Sequence, residues 1–155
     1  MALLAACSSR STQTPDAAAC VSNLQLTPII VNGTSPGGSL DVFRYTYAAF
    51  VGGDCGDAYH VHFLPAAVDP VCASAPPVME IDIVGPFSTT GTHRARALLI
   101  TGTTSMTDEV TFEATQLDPP DALSPRIVGR FVSHDAAWSF DIAVDLTSQG
   151  SSYCL

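Results

Sequence analysis

Hydrophobic and polar positions alternate along most of the chain, most cleanly near its end. Trp138, Phe140, Ile142, Val144 and Leu146 share one parity, and Ser139, Asp141, Ala143, Asp145 and Thr147 share the other. Successive side chains of a strand point to opposite faces, so residues 137–147 predict a strand with one buried and one wetted face. The run 126–133 has β-branched and aromatic residues of its own, and Ser133-His134-Asp135-Ala136 predicts a hairpin turn between the two. Two central runs share this design. Tyr59, Val61 and Phe63 oppose His60 and His62, and Met79, Ile81 and Ile83 oppose Glu80 and Asp82.

Clusters of Gly, Pro, Asn and Ser break the remaining sequence into segments of strand length, which predicts further strands at 23–32, 40–51, 58–64, 78–84, 94–103 and 109–117. Asn32-Gly33, Pro36-Gly37-Gly38 and Gly52-Gly53-Asp54 mark turns, and the segment 117–125, with Pro119-Pro120-Asp121, is a loop that no sheet interior accepts. Phe43, Tyr45 and Tyr47 read as core-facing; the alternative is an aromatic stripe able to stack on sugar rings. Helical signals are confined to the Ala-rich residues 16–19. The expected class is all-β, an antiparallel β-sandwich or barrel-like domain of about eight strands with little helix.

Composition narrows the setting. At 155 residues the chain suits one domain with a real core. Hydrophobic content of 46% with only 14% charged residues excludes a disordered acidic protein. The net charge is −9 and all six basic residues are Arg, with no Lys, a usage typical of a high-GC genome. Phosphate binding needs a basic footprint, so nucleic acid is not an expected partner, nor is an anionic lipid surface for the folded domain.

A second signal sits at the front. Leu4-Ala5-Ala6-Cys7 reads as a bacterial lipobox, in which a Leu and two small residues precede the Cys to be lipidated. The segment 1–6 is then part of a signal peptide whose start lies upstream. Residues 7–20, rich in Ser and Thr, form a lipidated Cys and flexible tether, and 21–155 form the β-sandwich domain. The expected partner is a membrane, reached through N-terminal acyl chains on Cys7. The expected location is the cell envelope, as an outer-membrane lipoprotein facing the periplasm or the cell surface. Cys20, Cys55, Cys72 and Cys154 remain, and four cysteines in an exported domain read as two disulfides with three connectivities. Cys55–Cys72 with Cys20–Cys154 is the favoured pairing. No C-x-x-C pair is present to suggest a zinc ribbon or redox site.

The order Val110-Thr111-Phe112, Gly129-Arg130-Phe131, Trp138-Ser139-Phe140-Asp141 and Tyr153-Cys154 resembles the ending of many uncharacterised exported lipoproteins of high-GC Gram-negative bacteria. The likeness covers roughly the last third of the chain. It implies a secreted β domain and no activity.

His60-Val61-His62 has metal-ligand spacing, because alternate strand residues put both imidazoles on one face. If the run 78–84 pairs with 58–64, Glu80 and Asp82 stand opposite, and the four together could hold Zn²⁺, Mn²⁺ or Fe²⁺. The simpler reading of the same pattern is a solvated face with cross-strand His–carboxylate pairs. Cupins carry an H-x-H followed by a nearby Glu, which residues 64–68 do not supply. His60-Val61-His62 with Cys72 and Cys154 is similar to the arrangement of copper–zinc superoxide dismutases, with His93 and His134 as further histidines. The chain departs from that family in having no His-rich zinc loop and no active-site Arg near its end. No G-x-S-x-G elbow marks a hydrolase. The sequence favours a non-enzymatic binding, adhesive or structural domain with an unassigned protein or carbohydrate ligand. The alternative is a metal site, dismutase-like or of another metalloenzyme, centred on His60 and His62.

Overall fold

The computed structural model describes residues 24–54, 56–67, 77–135 and 137–154, with backbone alone for 151–154. The described elements are β1 (Thr27–Pro28), β2 (Gly33–Ser35), β3 (Gly38–Ser39), β4 (Tyr45–Gly53), β5 (Ala58–Leu64), β6 (Val78–Val84), β7 (Gly91–Thr101), β8 (Thr104–Leu117), β9 (Arg126–His134) and β10 (Ser139–Cys154). Among the described residues there is no helix.

The strands β4 to β10 run as an antiparallel meander, each pairing with the next, and β10 returns to pair with β4. Seven alternating strands leave the first and last pointing the same way, so the closing pair is parallel, from Ser148↔Ala48 to Cys154↔Gly53. Of the two expected architectures the molecule adopts the barrel, one sheet closed on itself rather than two stacked sheets. Closure satisfies edges that would otherwise invite aggregation. The register shifts between Ser148 and Ser151, where Gly150 takes a positive φ of 71°, which lets β10 bend onto β4. The short strands fill leftover edges: β1 pairs with β4 at Tyr45 and Thr46, and β2 with β10 at Ser139 and Phe140.

The inward parity of the strands is mainly apolar, with Thr46, His93 and Ser133 as buried polar members. Tyr59, Val61 and Phe63 of β5 and Met79, Ile81 and Ile83 of β6 are completely buried, as the alternation predicts. Phe112 and Phe131 meet across β8 and β9 at 4.7 Å, and Phe63 meets Phe131 edge-on at 6.3 Å. Room for the Phe112 ring comes from Gly129, where a Cβ would lie 2.8 Å from that ring. Buried Tyr59 donates its hydroxyl to the Asp118 carbonyl at 2.7 Å. Between β9 and β10, Asp135 Oδ1 accepts the N–H groups of Ala137 and Trp138, each at 2.6 Å.

Four expectations need correction. Within 23–32 only Thr27 and Pro28 form ladder pairs, and the strand expected from residue 40 begins at Tyr45. The last strand continues past 147 to Cys154. Tyr45 and Tyr47 do not face the core. Thr46, Ala48 and Phe50 stand opposite Phe63, Val61 and Tyr59, so β4 turns that parity inward and its tyrosines outward.

Candidate metal centre

The hairpin β4–β5 and the pairing of β5 with β6 set the site. Ladder register puts His60 directly opposite Asp82 and His62 directly opposite Glu80. On the other side, the same register puts Tyr47 beside His62 and Ala49 beside His60. Because the buried parity of β5 and β6 is fixed by the core, the opposite parity must bring all four polar side chains onto one patch of the outer wall.

The four groups touch. His60 Nδ1 lies 3.1 Å from Glu80 Oε1 and 3.2 Å from Asp82 Oδ1, and His62 Nδ1 lies 3.1 Å from Glu80 Oε2. The two imidazoles are nearly parallel, with ring centres 6.2 Å apart. Tyr47 stacks on His62 at 4.5 Å and is itself only 7% exposed, so it shields one face of that imidazole from water. Side-chain exposures of 20–29% for the four ligand candidates place them well below an open surface.

Their protonation follows from this crowding. The hydrogen bond to Glu80 raises His60 above the ordinary imidazole value against the opposing effect of burial. Burial lowers His62, and Glu80 only partly counteracts it. The same His60 bond lowers Glu80. Asp82 is pushed up to about 6, first by burial, with nearby Glu80 adding to the effect and His60 opposing it. Asp82 Oδ1 is buried and has no well-aligned hydrogen bond, while His60 Nδ1 lies at hydrogen-bonding distance from Glu80 Oε1. A carboxylate short of donors in a sheltered place is suited to a proton or a cation.

One nitrogen from each of His60 and His62 and one oxygen from Glu80 lie within 4.8 Å of one another. Ligands of a tetrahedral ion sit roughly 3.4 Å apart, given Zn–N bonds of about 2.0–2.1 Å, so a small inward movement closes the set. Imidazole with carboxylate is a donor set suited to borderline divalent ions such as Zn²⁺, Mn²⁺ and Fe²⁺.

The structure thus unites His60, His62, Glu80 and Asp82. It leaves His93 and His134 apart: His93 points into the barrel wall, with Nε2 3.2 Å from the Thr89 carbonyl, and His134 ends β9. Ser133 turns inward to Asp108 at 2.7 Å, away from any triad with His134 and Asp135. Cys7, Cys20, Cys55 and Cys72 lie outside the described residues, as does the side chain of Cys154, so the lipidation and disulfide expectations concern atoms beyond the description. The sequence reading missed Tyr47 as a member of the site. Its place follows from the register of β4 on β5, which sets Val51 opposite Ala58 and Tyr47 opposite His62. Against family models, curated proteins and solved structures, the chain finds no match.

Proposed function

We propose that the protein is an exported lipoprotein, anchored through Cys7, whose β-barrel is a non-enzymatic binding domain for a divalent transition-metal ion. His60, His62 and Glu80 are the ligands, Asp82 completes the set, and Tyr47 shields it. The mutual approach of the three ligand atoms within 4.8 Å carries this reading. The surplus of carboxylate oxygen over hydrogen-bond donors supports it, because an ion would satisfy what the imidazoles leave unpaired. Asp82, with Oδ1 3.2 Å from His60 Nδ1, stands on the same side of that ring as Glu80 and is placed to add a further oxygen ligand. The leader and tether at 1–20 support delivery to the envelope.

Metal analysis of the purified full chain carrying Cys7→Ser tests the site. The expected result is one equivalent of zinc, manganese or iron, absent from the His60→Ala, His62→Ala double variant. No bound metal at neutral pH in either protein would overturn it. Labelled palmitate tests the anchor: it should follow the wild-type chain expressed with its natural leader and vanish with Cys7→Ser.

A further inference from the structure

The barrel wall has a notch one strand away from the metal cluster. The last ladder pair of β6 with β7 joins Ile83 to Ala95. β7 starts earlier, at Gly91, and residues 91–94 pair only with β8. The connection leaving β6 turns away from this edge. Phe87 packs its ring against Phe50 and Tyr59 at 5.9 and 5.0 Å, and the Ser88 N–H donates to the Leu117 carbonyl at 2.8 Å. What remains is a cavity of about 580 Å³. That lies within the usual range of roughly 300–1,000 Å³ for small-molecule sites.

Its lining is chemically uneven. Val84, which is 53% exposed, and Pro86 form an apolar side. Thr89, Thr90 and Thr92 bring hydroxyls, and Arg94 and Arg96 bring guanidinium groups. Arg94 is already committed, donating through Nη2 to both oxygens of Glu109 at 3.1 and 2.9 Å. Arg96 makes no ion pair or hydrogen bond among the described residues, whereas Arg94, Arg126 and Arg130 each do. The acid opposite Arg96 across the ladder, Asp82, turns to His60 instead. A cationic ligand would find no free carboxylate here, and a dianion would be repelled by Glu109.

We propose that this notch binds a small organic monocarboxylate. Its carboxylate sits on Arg96 and the threonine hydroxyls, and its apolar body lies against Val84 and Pro86. A planar guanidinium pairs with one carboxylate through two parallel hydrogen bonds, which fits a single unmatched Arg beside an apolar wall. The contact draws on Arg96 and leaves His60, His62 and Glu80 untouched, although Arg96 also lends its charge to Asp82 across the ladder.

Octanoate is a suitable probe, with octanol as the same body lacking charge. Titration of the full Cys7→Ser chain, followed by amide shifts, should saturate with changes centred on residues 84–96. Octanol, and octanoate with Arg96→Gln, should each bind at least about tenfold more weakly. Arg96 is exposed and outside the core, so the variant should fold as the parent does. Absence of saturable shifts, equal binding of octanol, or unchanged octanoate binding by Arg96→Gln would each overturn the proposal.

Discussion

Two cross-strand ladders on the outer wall share a plan and differ in their base. Between β9 and β10, Arg126 pairs with Asp145 and Arg130 with Asp141, each diagonally across the register. Between β5 and β6, His60 and His62 stand directly opposite Asp82 and Glu80. The arginine ladder lies in the open, with side chains 42–62% exposed, and each guanidinium has donors to spare. The histidine ladder is sheltered at 20–29%, and two Nδ1 atoms face three carboxylate oxygens. One ladder is electrostatically closed; the other is short of positive charge. Matching strand geometry therefore gives a solvated surface in one place and a cation site in the other, and the difference lies in donor count and shelter.

The largest effect should come from removing a base. His62→Ala should weaken Zn²⁺ binding by about 100-fold in calorimetric titration, since it deletes one ligand and exposes the rest. Arg130→Ala, the matching change in the other ladder, should leave Zn²⁺ affinity unchanged. Equal losses in both would erase the distinction.

Acid should separate the ladders next. Metal ligands must be neutral imidazole and ionised carboxylate, and His60 is raised while Asp82 titrates at about 6. Protons therefore compete with metal as pH falls through that value, and Zn²⁺ affinity should drop by about tenfold or more between about pH 7.5 and 5.5. The arginine ladder should be indifferent over that span, because Asp141 is held below the ordinary carboxylate range by its hydrogen bond to Arg130.

A smaller effect concerns stability without metal. Asp82 takes its proton at about 6 when folded, against an ordinary value near 4 in the unfolded chain. The folded state thus holds that proton more tightly, and ionising Asp82 costs stability that grows from about pH 4 and is complete above about pH 6. Asp82→Asn should stabilise the metal-free protein by about 1 kcal/mol at neutral pH after allowing for solvent screening, with the gain fading as pH falls and gone below about pH 4. The same variant should bind Zn²⁺ more weakly. A residue kept at a cost to stability and needed for binding behaves as a ligand, not as a surface pair. Smallest of all, Asp141→Asn should shift the thermal midpoint too little to resolve at physiological salt, as expected of an exposed pair.

The histidine ladder was legible in the sequence because β5 and β6 alternate without interruption. Tyr59, Val61 and Phe63 and then Met79, Ile81 and Ile83 leave only one face for His60, His62, Glu80 and Asp82. Both strands match their expected bounds residue for residue. The closure of the barrel was not legible. Residues 148–152, Ser-Gln-Gly-Ser-Ser, carry no hydrophobic alternation, and their pairing with β4 rests on backbone groups common to every residue. Tyr47 was misplaced for a different reason. Hydrophobicity alone assigns it to the core, whereas the ladder register turns Thr46, Ala48 and Phe50 inward opposite Phe63, Val61 and Tyr59. That parity becomes visible only once neighbouring strands are in register.

Anomalous diffraction from crystals of the zinc-loaded chain would locate the ion. A single strong peak between the imidazoles of His60 and His62 and the carboxylate of Glu80, with an Asp82 oxygen turned to the ion, is the predicted result. A zinc-saturated crystal with no peak there, or with its strongest peak at another group of side chains, would contradict it.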